Sequence, residues 1–300
     1  MPSDLAAAGR LVIVRDSAGL GLPFSKGLMA TSILATGTET DQAYAIAAEI
    51  QRELTGRAGS NIDAHELATL AATMIEARAG AEAAARYQTW RRLRREGRPL
   101  LLVLGGAPGV GKSTISTRLA VRFGITRIVT TDTIREVLRT VIPATVLPEL
   151  HVSTYESVGA GADPAEVYVR QARVVGGALV SVVRRLLTER RSVIVEGVHL
   201  LPGELVGALG EHPSRPVIVE LLLLLEDAVA HRAQLAARRA GEPERGGQRS
   251  LDQFQTIRTL HDLLAARARS AGVEALDLGA PRRLTERLLE LVHVRAAPTP

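Results

Sequence analysis

The sequence predicts an α/β protein: a five-stranded parallel sheet covered by helices on both faces, preceded by a small, mostly helical unit that opens on a short hairpin. Three observations carry that prediction. From Leu100 onward, short continuous apolar runs alternate with amphipathic stretches, the pattern of strands buried on both faces and joined by helices. Before Leu100 the apolar spacing is almost entirely helical. Between the two, "EGRP" at Glu96–Pro99 places Gly97 and Pro99 where a helix must stop, which puts a domain boundary between residues 97 and 98.

The elements follow in order. Residues 10–22, "RLVIVRDSAGLGL", alternate as a short hairpin, and an apolar-periodic stretch follows from Leu28 to Leu34. Ala43, Ile46, Ala47, Ile50 and Leu54 recur at helical spacing. Asp63 and Glu66 stand at capping-box spacing and open a helix to about Arg78, and another spans about Gly80–Glu96. This last helix holds the dense basic cluster "RYQTWRRLRREGR" (Arg86–Arg98), read as a solvated linker helix more readily than as a nucleic-acid surface.

In the second unit the strands are Leu100–Leu104, Arg127–Thr130, Ser192–His199, Pro216–Glu226 and Val273–Leu278. Helices are expected over Lys112–Phe123, from "TDTIREV" up to Pro143, from Asp163-Pro164 to about Glu189, after Glu226, from about Leu251 to Ala271, and over Leu284–Val292. The polar stretch "AGEPERGGQRS" reads as a loop.

Composition narrows the function. A chain of 300 residues with 46% hydrophobic residues can bury a substantial core. It has no cysteine, which excludes disulfides and thiolate metal sites and fits a reducing compartment. The longest apolar runs, Val217–Val219 and Leu221–Leu225, are split by Glu220 and fall far short of the ~20 residues of a membrane span. The opening "MPSDLAAAGR" has neither basic n-region nor apolar core, so a cytoplasmic protein is expected. A net charge of +5 suits small anionic substrates as well as nucleic acid, and elsewhere Arg alternates with acids. The sequence leaves the oligomeric state open, a homo-oligomer included.

Chemistry concentrates after the first strand of the sheet. "GGAPGVGKST" fits G-x-x-x-x-G-K-[ST], so Gly106, Ala107, Pro108, Gly109, Val110, Gly111, Lys112, Ser113 and Thr114 form a phosphate-binding run at a helix N-terminus. Lys112 is placed for β/γ-phosphates and the Ser113 hydroxyl for Mg²⁺. Of 37 basic residues only Lys26 and Lys112 are lysines. A chain that otherwise uses arginine keeps a compact ammonium where a narrow crevice requires one.

Asp132, at the carboxyl end of the second strand, is a candidate for accepting a hydroxyl proton or holding Mg²⁺, with helix N-cap as the competing role. Arg135, and Arg139 one helical turn on, are placed to bind an anionic acceptor. Glu196 ends the third strand as a second candidate metal-binding or catalytic acid, with a structural Glu–Arg pair as its alternative. His199 reads as structural. Arg232, Arg238 and Arg239 suggest a lid over a transferring phosphoryl group, or a solvated helix face.

The blocks "GGAPGVGKSTI", "TDTIREVLR", "VIVEGVHLLPG" and "HRAQLAARR" resemble the 2-phosphoglycerate kinase family, over roughly Pro99–Leu278. The N-terminal "VIVRDSAGLGLPFSKG" with "AYAIAAEIQREL" looks like an ATP-cone, a nucleotide-sensing module, over about Leu11–Trp90. The resemblance implies a phosphate-loop kinase domain over 98–300 that uses ATP and Mg²⁺ to phosphorylate the 3-hydroxyl of 2-phosphoglycerate. It also implies a regulatory nucleotide site in 1–97 using Arg15 and Lys26. Two other classes stay open from sequence: an ATP-sensing regulatory protein without turnover, and a kinase of another sugar acid, a nucleoside or a polynucleotide end.

Overall fold

The structure is a computed structural model that describes residues 11–15, 19–57, 61–157, 161–241, 251–279 and 281–296, without the side chains of 238–241 and 281–283. The described residues form two compact units, one of the residues up to Arg95 with Arg122–Gly124, the other of Glu96–Val121 and Ile125–Ala296.

The first unit holds strands β1 (Ile13–Arg15) and β2 (Gly21–Pro23), helices α1 (Lys26–Leu34) and α2 (Thr40–Gly56), strand β3 (Asn61–Asp63), and helices α3 (Ala64–Ala79) and α4 (Ala81–Arg95). The hairpin is present, and β1 also pairs in parallel with β3, in the order β2-β1-β3. β3 was not expected, because three residues that include the N-cap of the next helix carry no period of their own. Asp63 caps α3 by accepting from the backbone N–H of His65 at 2.7 Å. The reciprocal half of the expected capping box is absent: Glu66 instead accepts from Arg57 Nη1 at 2.7 Å. The core joins Val12, Ile33, Ile46, Ile50, Leu54, Ile62 and Ile75 to Ala83, Ala84 and Tyr87 of α4. The basic α4 is therefore a packed wall of this unit, not a solvated linker, with Arg91 Nη2 donating to the Ala64 carbonyl.

The second unit contains strands β4 (Leu100–Gly105), β5 (Ile128–Thr130), β6 (Val193–Gly197), β7 (Val217–Leu224) and β8 (Glu274–Asp277). All pair in parallel, in the order β5-β6-β4-β7-β8. Every residue of β4 is buried, and successive strand residues face opposite sides, so the sheet is covered on both faces. The helices are α5 (Lys112–Phe123), α6 (Thr131–Val141), α7 (Pro164–Thr188), α8 (Glu204–Leu209), α9 (Ala228–Gly241), α10 (Phe254–Ala271) and α11 (Pro281–Ala296).

Leu101 and Val103 of β4 pack with Leu179, Val183 and Leu187 of α7 and Leu205 and Leu209 of α8. Leu222 and Leu224 of β7 join Leu260, Leu264 and Ala268 of α10. α7 starts as the sequence requires: Asp163 Oδ1 accepts from the N–H of Ala165 at 2.9 Å, and Pro164 fills the first helical position. Two short pieces were not foreseen, α8 and a 3₁₀ turn at Pro148–His151. No helix among the described residues is long and apolar enough to cross a membrane.

Candidate active site

Parallel strands collect their carboxyl ends at one edge, where helix N-termini and side chains converge. β4 delivers the glycine-rich run Gly106–Thr114 there from the middle of the sheet, with β6 and β7 on either side. Gly109 sits at φ +82°, in the left-handed region, and a Cβ at this position would lie 2.4 Å from Leu235 Cδ2 of α9. Only glycine fits both the turn and the contact.

Lys112 opens α5, and its Nζ donates to the Ala107 carbonyl at 2.9 Å, which folds the side chain back over the loop. Ser113 Oγ donates to Glu196 Oε1 at 2.9 Å. This bond joins the loop to the end of β6 and settles the partner of Glu196: the buried carboxylate meets a hydroxyl, not an arginine.

Asp132 stands in the first turn of α6, but Thr130 is the N-cap, its Oγ1 accepting from the N–H of Thr133 at 3.1 Å. Capping therefore does not explain Asp132, whose side chain is 69% exposed and lies with Oδ1 3.7 Å from His199 Nδ1. A hydroxyl and two carboxylates are hard oxygen donors suited to Mg²⁺, which takes one or two carboxylates together with substrate phosphates in place of a full protein cage. Ser113 and Glu196 fit that role as a touching pair. Asp132 has its recorded contact with His199. No cluster of three or more His, Cys, Asp or Glu able to hold a metal occurs among the described residues.

Beside these acids runs a polar network that sequence reasoning reduced to a single structural histidine. His199 is buried; its Nδ1 is 2.9 Å from Thr131 Oγ1 and its Nε2 3.0 Å from Gln171 Oε1. Gln171, also buried, donates Nε2 to the carbonyls of Glu149 and of Val152, the latter at 3.0 Å. Arg135 reaches the same turn, donating Nε to the Leu150 carbonyl at 3.0 Å and Nη2 to the Val152 carbonyl at 2.6 Å.

An amide oxygen cannot donate, so His199 carries its proton on Nε2 and accepts from Thr131 at Nδ1. Burial holds the imidazole neutral, its pKa pushed down to about 4; the Asp132 charge opposes the shift, while Arg135 and Lys112 reinforce it. Desolvation also lowers the pKa of Arg135, with Arg139 adding to it.

The remaining candidates are placed as follows. Arg139 Nη1 bonds both oxygens of Glu136, at 2.9 and 3.0 Å. Arg232 lies on α9 with its guanidinium 5.8 Å from the Phe254 ring centroid. The side chains of Arg238 and Arg239 lie outside the described set, as does the stretch 242–250. In the first unit, Arg15 ends β1 and Lys26 begins α1 after its N-cap Ser25, and both are exposed. Sequence reasoning passed over Gln171, His231 and Arg258; the first two stand on helix faces among apolar neighbours, where only the fold reveals a polar partner.

A sheet of this order, with a glycine-turned loop running from its central strand into a helix that begins Lys-Ser, has the pattern of the phosphate-loop kinase class. No family model matches the sequence. Among curated relatives, the 2-phosphoglycerate kinase of Methanopyrus kandleri is 34% identical over 263 residues, covering 85% of this chain and 79% of the relative. That of Pyrococcus furiosus is 32% identical over 275 residues, 89% of this chain and 87% of the relative. That of Methanococcus vannielii is 32% identical over 297 residues, 95% and 92% of the two chains. The chain belongs to the 2-phosphoglycerate kinase family.

Proposed function

We propose that this kinase transfers the γ-phosphoryl group of ATP, with Mg²⁺, to the 3-hydroxyl of 2-phosphoglycerate, giving 2,3-bisphosphoglycerate. The observation that supports the reading is the Ser113–Glu196 hydrogen bond, which brings the loop hydroxyl and the strand-end acid to one point at the start of α5, where donor phosphates would sit. The family relatives supply the acceptor.

In this reading Lys112 leaves the Ala107 carbonyl for the β/γ-phosphates, exchanging a neutral acceptor for an anionic one. Ser113 and Glu196 would hold Mg²⁺, which when bound would supply positive charge to the phosphate oxygens. The exposed carboxylate of Asp132 takes the proton of the attacking hydroxyl at Oδ. Thr131, through His199, fixes the start of α6 from which Asp132 projects. Arg135 orders the Leu150–Val152 turn with Nε and Nη2, leaving Nη1, 3.6 Å from Glu136, to exchange that partner for an anionic acceptor. Arg139 and the α9 arginines add positive charge around the acceptor and the transferring group. Arg15 and Lys26 form a separate regulatory nucleotide site in the first unit.

The test is incubation with Mg·ATP and a panel of phosphoglycerates, sugar acids and nucleosides, following ADP release and product phosphate by ³¹P NMR. Turnover on 2-phosphoglycerate, lost in Lys112→Ala, is the expected result. Nucleotide binding with no turnover on any acceptor overturns the reading in favour of a sensor.

A further inference from the structure

Helix α9 meets the phosphate loop along one face, through His231, Gln234 and Leu235, spaced i, i+3, i+4. Leu235 fills the space beside Gly109, and Gln234 Nε2 lies 3.3 Å from where a Cβ at Gly111 would stand. His231 is fully buried, and its Nε2 is 2.8 Å from the Pro108 carbonyl.

A carbonyl only accepts, so Nε2 carries the proton and Nδ1 a lone pair. Arg258 Nη1 stands 3.3 Å from that Nδ1, and a guanidinium has only donors, so the contact selects the same tautomer. Arg258 is itself held by the carbonyls of Leu225, at 2.8 Å from Nη1, and Glu226, at 3.1 Å from Nη2. The Phe254 ring packs edge-on against the imidazole at 5.6 Å between centroids. A continuous chain of hydrogen bonds thus runs from the end of β7, through α10 and α9, to one peptide of the phosphate loop.

The position of that peptide gives the chain a purpose. In a planar trans peptide the C=O and the following N–H point in opposite directions, and no cis bond occurs among the described residues. Holding the Pro108 carbonyl outward against His231 therefore turns the Gly109 N–H inward, toward the space a phosphate would occupy. The hinge is free to turn the other way: glycine tolerates both signs of φ, and Pro108 has no N–H to anchor it. We propose that His231 is a positioning residue for nucleotide binding, locking the Pro108–Gly109 peptide so that the Gly109 N–H faces the donor phosphates, with Arg258 fixing its tautomer.

The inference rests on reading residues 106–114 as a nucleotide site, and predicts that the loop carries a pH dependence of its own. Burial lowers the His231 pKa, Arg258, His261 and Lys112 lower it further, and the Pro108 carbonyl opposes them. At acid pH a second proton on Nδ1 would face Arg258 donor to donor and break the chain.

Calorimetric titration of the full-length protein with ADP tests this. His231→Phe, which keeps a planar ring without the donor, is expected to weaken ADP binding about tenfold or more with little change in acceptor KM. His231→Gln, which returns an N–H at similar reach, is expected to recover most of the loss, and Arg258→Met to fall between. The wild type should lose ADP affinity at acid pH more steeply than His231→Gln. Unchanged ADP affinity in a folded His231→Phe, or superimposable pH profiles for wild type and His231→Gln, overturns the inference. Should His231→Phe fail to fold, the profile comparison decides alone. A wild type that binds no ADP at all overturns the reading of the loop, and this inference with it.

Discussion

Gly197 closes β6 immediately after Glu196, and replacing it with alanine should be among the most damaging single-methyl changes in the second unit. Its φ of +154° disfavours any side chain. A Cβ there would lie 1.8 Å from Thr131 Oγ1, 2.7 Å from Thr131 Cβ and 2.8 Å from its Cγ2. All three atoms belong to one short, branched, fully buried residue that has no flexible end to swing aside. Relief requires moving α6 or rotating Thr131 away from His199.

The backbone strain costs about 1–3 kcal/mol, the overpacking a further ~1–3 kcal/mol, and a broken Thr131–His199 bond about 1 kcal/mol. Allowing for overlap among these, about 3–6 kcal/mol is expected. For a unit of this size that lowers the melting temperature by roughly 10–20 °C. Thermal and urea unfolding of Gly197→Ala measure the total, and a double-mutant cycle with Thr131→Ala locates it. The cycle should show strong coupling, because Thr131→Ala removes the two γ atoms. A cost below about 1 kcal/mol, or one unchanged in the Thr131→Ala background, refutes the assignment of the clash.

Ser113→Ala should lower kcat on the order of 10²-fold and raise the Mg²⁺ concentration for half-maximal rate, read from steady-state kinetics across Mg²⁺. Gly176→Ala and Gly177→Ala should each stabilise by about 0.4–1 kcal/mol in urea unfolding, since both glycines lie inside α7 and an added Cβ meets nothing within 4 Å. Stability should fall between pH 6.5 and pH 4: His199 stays neutral in the fold down to about 4 while its unfolded counterpart binds a proton near 6.5. The unfolded state thus holds the extra proton across that window, and the loss attributable to this group is about 3 kcal/mol. Thermal melts of wild type against His199→Gln should show the slope reduced in the variant. Lys26→Ala should reduce nucleotide stoichiometry from two per chain to one in calorimetry, leaving the phosphate-loop site intact.

The strands of the second unit were legible because each is a continuous apolar run between polar turns, and burial on both faces produces that signature directly. The glycine-turned loop between β4 and α5 was equally plain in position, since its glycines and its lysine stand at the fixed offsets of the motif. What escaped were features set by partners distant in sequence. β3 is three residues whose existence depends on β1. The two ends of the Ser113–Glu196 bond sit on different strand-loop units, and only the pairing of β4 with β6 brings them together. Arg135 read as a free cation at the start of an amphipathic helix; its attachment to Leu150 and Val152 depends on the 3₁₀ turn, a piece too short to announce itself. For Asp132 the sequence left N-capping as a rival to its chemical role because Asp caps well, yet Thr130, two residues earlier, took the cap position and left the carboxylate exposed.

The strand order has a consequence for how the molecule is made. β4, which carries the phosphate loop, pairs with β6 through Leu101↔Val193 and with β7 through Leu100↔Val217, so its neighbours leave the ribosome long after it does. At ~5–20 residues per second the interval is on the order of ten seconds, during which "LLLVLG" offers two unpaired edges and six apolar or small residues to any other nascent chain. The sheet's first-made strand is the one that waits longest for a first neighbour. Synthesis rate and chaperone supply, more than equilibrium stability, should therefore set the yield of active enzyme, and slower synthesis should shift this chain from soluble product toward aggregate.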